Sequence, residues 1–165
     1  MKKIILSVAI IITISLFAKA QNETSVKKDF KLSIGPTAGI PVGDFKIISS
    51  FVIGGDLQGE LALAPTFGVT LSAGYLNFLG KSGISSSGFI PILLGGKYYF
   101  TEKIYGHAQF GISLSTEKDG KTAFTYAPSI GYAVSEKFDI AAKYQSATKD
   151  GFSVSFIGIR IAHSF

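Results

Sequence analysis

The chain has 165 residues, with 16 Lys and Arg against 11 Asp and Glu for a formal charge of +5, and it is 47% hydrophobic with no cysteine. That length allows one domain, and the lack of cysteine excludes a disulfide scaffold, cysteine-ligated zinc and thiol catalysis. Lys2, Lys3 and Lys19 lie in an N-terminal segment expected to be removed, which leaves 13 bases against 11 acids and a charge of +2, without the concentrated basic face of a nucleic-acid binder.

That N-terminal segment, MKKIILSVAIIITISLFAKAQN, has the three parts of a secretory leader. Lys2 and Lys3 are its positive region, Ile4 to Phe17 its apolar region, and Ala18-Lys19-Ala20 its small-x-small cleavage site. The apolar run falls short of the ~20 residues a membrane-spanning helix needs. Residues 1–20 are therefore read as a signal peptide and 21–29 as a short polar lead-in, with the domain proper over 30–165. Asn22-Glu23-Thr24 fits a glycosylation sequon, but a three-residue match at a terminus carries no weight.

From Phe30 onward the chain divides into eight strand-like segments bounded by turn residues. The first runs from Phe30 to Val42 and ends at Gly43-Asp44; the second, Phe51 to Leu63, closes on Ala64-Pro65-Thr66. The third is Phe67 to Phe78, followed by a Gly/Ser-rich stretch over 79–88, and the fourth is Phe89 to Phe100. The fifth is Ile104 to Thr116, the sixth Ala123 to Val134, the seventh Phe138 to Ala147, and the eighth Phe152 to Phe165. Asp119-Gly120 and Asp150-Gly151 are hairpin pairs, since glycine accepts positive φ. Segments of this length approach the 9–11 residues that cross a bilayer at a tilt. Tight connections follow segments two, four and six, and longer ones follow three and five. An even number of strands with short turns at one end is the outer-membrane barrel pattern.

Alternation alone does not separate a membrane barrel from a soluble one with a greasy interior, so the second face decides. One parity reads Leu32, Ile34, Ala38, Ile40, then Leu57, Leu61, Leu63, and continues in this way to Ile157, Ile159, Ile161 and Phe165. The other is dominated by Gly, Ser, Thr and Ala. Of the 24 charges after the leader only seven fall in strands (Lys31, Asp56, Glu60, Lys97, Asp139, Lys143 and Arg160). A solvated outer sheet would carry more, whereas small residues suit the crowded interior of eight strands. The expected fold is all-β, an eight-stranded antiparallel up-and-down transmembrane barrel. Aromatics sort by height into two belts, as at two membrane interfaces. Phe67, Tyr98, Phe100, Tyr132, Phe138 and Phe165 lie beside the short turns; Phe51, Tyr75, Phe124, Tyr126 and Tyr144 lie near the loop ends.

The runs GPTAGIPVGDF (35–45) and FIPILLGGKYYF (89–100), with the C-terminal alternation ending on Phe165, resemble the small eight-stranded outer-membrane β-barrel family, related to the OmpA transmembrane domain and to OmpX. The resemblance spans about residues 30–165 and rests on loose patterns. It implies an outer-membrane location in a Gram-negative-type bacterium, contact with outer-membrane lipid, and delivery by the barrel-assembly machinery. By that resemblance Ile157, Ile159, Ile161 and Phe165 form the assembly signal; His163 departs from it, standing where the pattern prefers an apolar residue.

The inward polar set is Glu60, Lys97, His107, Asp139, Lys143 and Arg160, with Gln109 and Gln145. Two acids and three bases in a narrow lumen should pair into a network that fills it, since a lone buried charge costs several kcal/mol. The resulting expectation is a monomeric structural or surface-interaction protein, binding no nucleic acid. A narrow pore for ions or small solutes is the alternative, and a lipid-modifying enzyme the second. Catalysis has little to rest on. His107 and His163 are the only histidines, no Gly-x-Ser-x-Gly elbow occurs, and the adjacent His163 and Ser164 of a strand point to opposite faces. Gly80-Lys81-Ser82 mimics the end of a phosphate loop, but Tyr75 stands where that motif needs glycine. No cofactor and no metal site is expected.

Overall fold

The computed structural model describes residues 30–81, 83–117 and 120–165. The leader, the lead-in and Asp119 of the Asp119-Gly120 pair fall outside these. Eight strands follow in order: β1 (Phe30–Val42), β2 (Ser49–Ala64), β3 (Phe67–Gly80), β4 (Ser87–Tyr99), β5 (Ile104–Ser115), β6 (Thr122–Ala133), β7 (Phe138–Lys149) and β8 (Phe152–Ser164). Each pairs antiparallel with its neighbour in sequence, and β1 pairs with β8 to close the barrel. Among the described residues no sheet edge is left unpaired, which is how an all-β chain removes exposed backbone donors and acceptors.

We call the end where β1 begins and β8 finishes the lower end. Its connections are residues 65–66, 100–103 and 134–137. At the upper end the connections are 43–48, 81–86, 116–121 and 150–151. The tightest of these is a two-residue hairpin in which Asp150 and Gly151 both have positive φ, 49° and 82°. That geometry matches the twist of the flanking strands and lets pairing run up to Lys149↔Phe152. β7 is consequently two residues longer than its hydrophobic pattern suggests.

Side chains alternate across the wall as the strand period demands. Ile34, Leu57, Leu71, Leu94, Phe110, Ile130, Ile140 and Ile159 lie exposed on the outside, while Thr70, Lys97, His107, Thr125, Lys143 and Arg160 are buried inside. The β1–β2 connection is not the simple turn its Gly43-Asp44 pair implies. It forms a 3-10 segment, Gly43–Ile47, entered through Gly43 at φ 68°. The segment straddles the rim: Phe45 is buried in the barrel mouth, and Ile47 is exposed.

The hydrophobic core sits inside the upper barrel, where Phe45, Val52, Leu76, Phe78 and Phe156 are buried together with Phe89 and Val154 against them. The rings meet edge to face, Phe78 lying 5.3 Å from Phe45, 5.5 Å from Phe89 and 5.9 Å from Phe156, the arrangement aromatic quadrupoles favour. This departs from the expectation of an inner face made of small residues. Along β3 the inward parity runs Gly68, Thr70, Ser72, Gly74 and then Leu76, Phe78, so the lining changes character two thirds of the way up.

Candidate functional site

The lower and middle lumen is polar, and four of its charges form two ion pairs. Lys97 Nζ donates to Glu60 Oε2 at 2.8 Å, and Tyr99 Oη donates to the other Glu60 oxygen at 2.6 Å. The Lys97 ammonium also lies 4.1 Å from the Tyr105 ring centroid and 5.6 Å from that of Tyr99, a placement in which the ring faces attract the cation. Tyr105 Oη donates to Asp139. Strand alternation puts all of these on the inner face of β2, β4, β5 and β7, and the barrel's tilt brings them to one level.

One layer higher, Arg160 on β8 grips Asp56 on β2. Its Nε lies 3.0 Å from both carboxylate oxygens and its Nη2 2.7 Å from Oδ1, with a further bond to Ser33 Oγ at 3.3 Å. This two-pronged geometry is the strong form of a charged hydrogen bond. Asp56 is absent from the inward polar set expected from sequence, and it changes the balance. Three acids, Asp56, Glu60 and Asp139, face three bases, Lys97, Lys143 and Arg160, rather than two facing three. The signal was present, because Asp56 shares the parity of Gln58 and Glu60. Tyr99 and Tyr105 carry the inward parity of Lys97 and His107 on their strands, but belong neither to the polar set nor to the two belts expected from sequence.

The remaining polar residues complete the layer. His107 Nε2 shares a hydrogen bond with Thr70 Oγ1 at 2.8 Å, and Gln109 Nε2 donates to Ser72 Oγ at 2.8 Å. Lys143 is buried and makes no ion pair within 4 Å among the described residues. It borders a void of about 10 Å³ with His107, Gln109 and Arg160, room for about one water. Gln145 is buried above it, its Oε1 without a hydrogen-bond partner among the described residues. No described group of three His, Cys, Asp or Glu is placed to hold a metal ion.

The lumen is therefore filled in two storeys, paired charges below and packed rings above. Larger hollows occur at its two mouths. The lower, about 380 Å³, is lined by Lys31, Lys97, Tyr99, Glu102 and Asp139 among others. The upper, about 480 Å³, has Phe45, Phe89, Phe152 and Val154 in its wall.

On the outside, Phe67, Tyr98, Phe100, Tyr132, Phe138 and Phe165 are exposed around the lower end. Phe51, Tyr75, Phe124 and Tyr126 are exposed near the upper end, with Tyr144 half-buried beside Tyr126 at a centroid distance of 6.0 Å. Ile157, Ile159, Ile161 and Phe165 share the outer face of β8. His163 lies in that row too, its ring tilted against Phe138 at 4.7 Å and edge to face with Phe165 at 5.1 Å. Ser164 is buried on the inner face.

No family model matches the sequence, and no curated protein matches it. Solved structures do match in shape. Ail, the attachment invasion locus protein of Yersinia pestis, superposes with a TM-score of 0.65 at 15% identity, over 85% of this chain and 100% of that one. The N-terminal β-barrel domain of Pseudomonas aeruginosa OprF gives 0.59 at 14% identity, over 82% and 97%. Neisserial surface protein A gives 0.54 at 10% identity, over the same shares. The fold is that of the small eight-stranded outer-membrane β-barrels.

Proposed function

We propose that the chain is an integral outer-membrane barrel with a closed lumen and a structural or surface-interaction role. The observation that carries this reading is the inversion of the molecule. Its outer wall carries a band of exposed Ile and Leu between two aromatic girdles, while its inner wall holds the ion pairs. In water that band would be a very large unpartnered apolar surface; in a bilayer it is the solvated face, with the rings at the two interfaces. Short connections belong on the periplasmic side, so the lower end faces the periplasm and the upper end the exterior. The outward row of β8, Ile157, Ile159, Ile161 and Phe165, is the strand offered to the barrel-assembly machinery, and export proceeds through the leader at 1–20.

The closed-lumen reading rests on the two filled storeys. His107, bonded to the buried Thr70, borders a void of only about 10 Å³, too small for a substrate, so no reaction is assigned to that pair. Membrane fractionation and heat-modifiable gel migration test the fold in its setting. A folded species that runs ahead of the boiled one, recovered with the outer membrane, is the expected outcome; soluble periplasmic protein would overturn the reading.

A further inference from the structure

The upper mouth is apolar on the wrong side of the wall. Phe89, Ala123, Ala147, Phe152 and Val154 all carry the inward parity of their strands, and Phe45 reaches in from the 3-10 segment, so together they line a hollow of about 480 Å³. Lipid does not reach this surface, since it lies inside the barrel opening. Sealing the lumen does not require it either, because Phe78 and Phe156 beneath it are already buried. Yet Phe152 remains 55% exposed. An apolar hollow of this size, within the roughly 300–1,000 Å³ of small-molecule sites and ringed by a few polar groups, is the form a ligand pocket takes.

The rim indicates the ligand's polar end. Glu117 accepts from Ser87 Oγ at 2.8 Å, and Asp150 lies 3.9 Å from Lys121. Lys149, on the inward parity of β7, has no carboxylate within 4 Å among the described residues. We propose that the upper mouth is a binding site for small amphiphilic carboxylates, the aryl or alkyl body lying against Phe152, Phe89 and Phe45 and the carboxylate meeting Lys149. This rests on the reading that the upper end opens to water outside the membrane.

The test uses the full barrel in lipid nanodiscs, isotopically labelled and titrated with 4-phenylbutyrate while amide resonances are followed. Saturable shifts confined to Phe152, Val154 and Ala147, with Ile157 and Ile159 on the lipid face unmoved, are expected. Phe152→Ala should weaken the apparent affinity at least fivefold, and Ala123→Trp, which fills the hollow, should abolish saturation. Lys149→Gln should weaken 4-phenylbutyrate several-fold and leave 4-phenylbutanol unchanged. Shifts that rise linearly without saturation, or equal saturation in Ala123→Trp, would overturn the site; equal carboxylate affinity in Lys149→Gln would overturn the assignment of the head group. Failure of the wild-type chain to enter nanodiscs as a folded barrel would count instead against the membrane reading.

Discussion

Arg160 reaches from β8 over the inner face of β1 to Asp56 on β2, more than a hundred residues earlier, and Gly35 of β1 makes room for it. A Cβ at Gly35 would stand 2.6 Å from the guanidinium carbon, so that glycine is a space requirement rather than a turn. Removing Arg160 leaves the Asp56 carboxylate, its side chain 12% exposed, without its partner, and breaking such a largely buried pair costs up to about 3–5 kcal/mol. Arg160→Ala should lower the urea-unfolding midpoint in lipid vesicles accordingly, and Arg160→Lys should restore only part, since a point charge cannot reproduce the fork. Glu60→Ala should cost less, because Lys97 keeps the faces of Tyr99 and Tyr105. Unchanged midpoints for both alanine variants would remove the network from any account of stability. Gly131 plays the role of Gly35 on the other wall. A Cβ there would run into the Tyr105 ring, so Gly131→Ala must displace the ring that holds Asp139. A loss of about 1–3 kcal/mol is expected from such overpacking, read in the same unfolding measurement.

Among the elements, the 3-10 segment divides its labour by residue. Phe45 is 6% exposed and packed on Phe78 and Phe152, whereas Ile47, two residues on, is 69% exposed. Phe45→Ala should therefore cost about 3 kcal/mol as a buried ring is deleted, and Ile47→Ala should stay within about 0.5 kcal/mol as a surface change. Equal effects at the two positions would mean that the segment does not cap the barrel. The strands themselves were legible: alternation and turn residues located all eight, with ends differing by two residues or fewer. Three things were harder to read. The 3-10 segment has too few residues for any period to show. The extra length of β2 rests on register shifts at Ser49/Phe51 and Ala62/Ala64, where the pairing slips without a change in composition. The apolar upper lumen was visible in Leu76, Phe78 and Phe156 on the inward parity, but an inner face averaged over whole strands conceals a lining that changes with height. Asp56 is the counterpart at the site, since parity placed it inside while only the fold showed that Arg160 comes round to meet it.

For the molecule as a whole, position relative to the bilayer should govern the cost of an outward charge. Ile159→Arg sits midway along β8 on the lipid face and should destabilise by about 2–4 kcal/mol, while Phe165→Arg at the lower rim should cost about 0–1 kcal/mol. Equal costs in vesicle unfolding would contradict the assigned height of the band. Conductance probes the opposite surface. Three layers lie in series along the lumen, the Phe78–Phe156 rings above, the Arg160–Asp56 pair in the middle and the Lys97–Glu60 pair with its tyrosines below, so breaching one should not open a path. In planar bilayers the wild-type chain should give no stable single-channel steps. Phe78→Ala combined with Phe156→Ala should also stay silent, because the ion-paired layers still span the bore of an eight-stranded barrel. Steps should appear only when Arg160→Ser and Glu60→Ser are both added, which breaks all three layers. Steps from the wild type would overturn the closed lumen outright, and steps from the Phe78/Phe156 variant would locate the whole seal in the rings and leave the ion pairs a purely structural part.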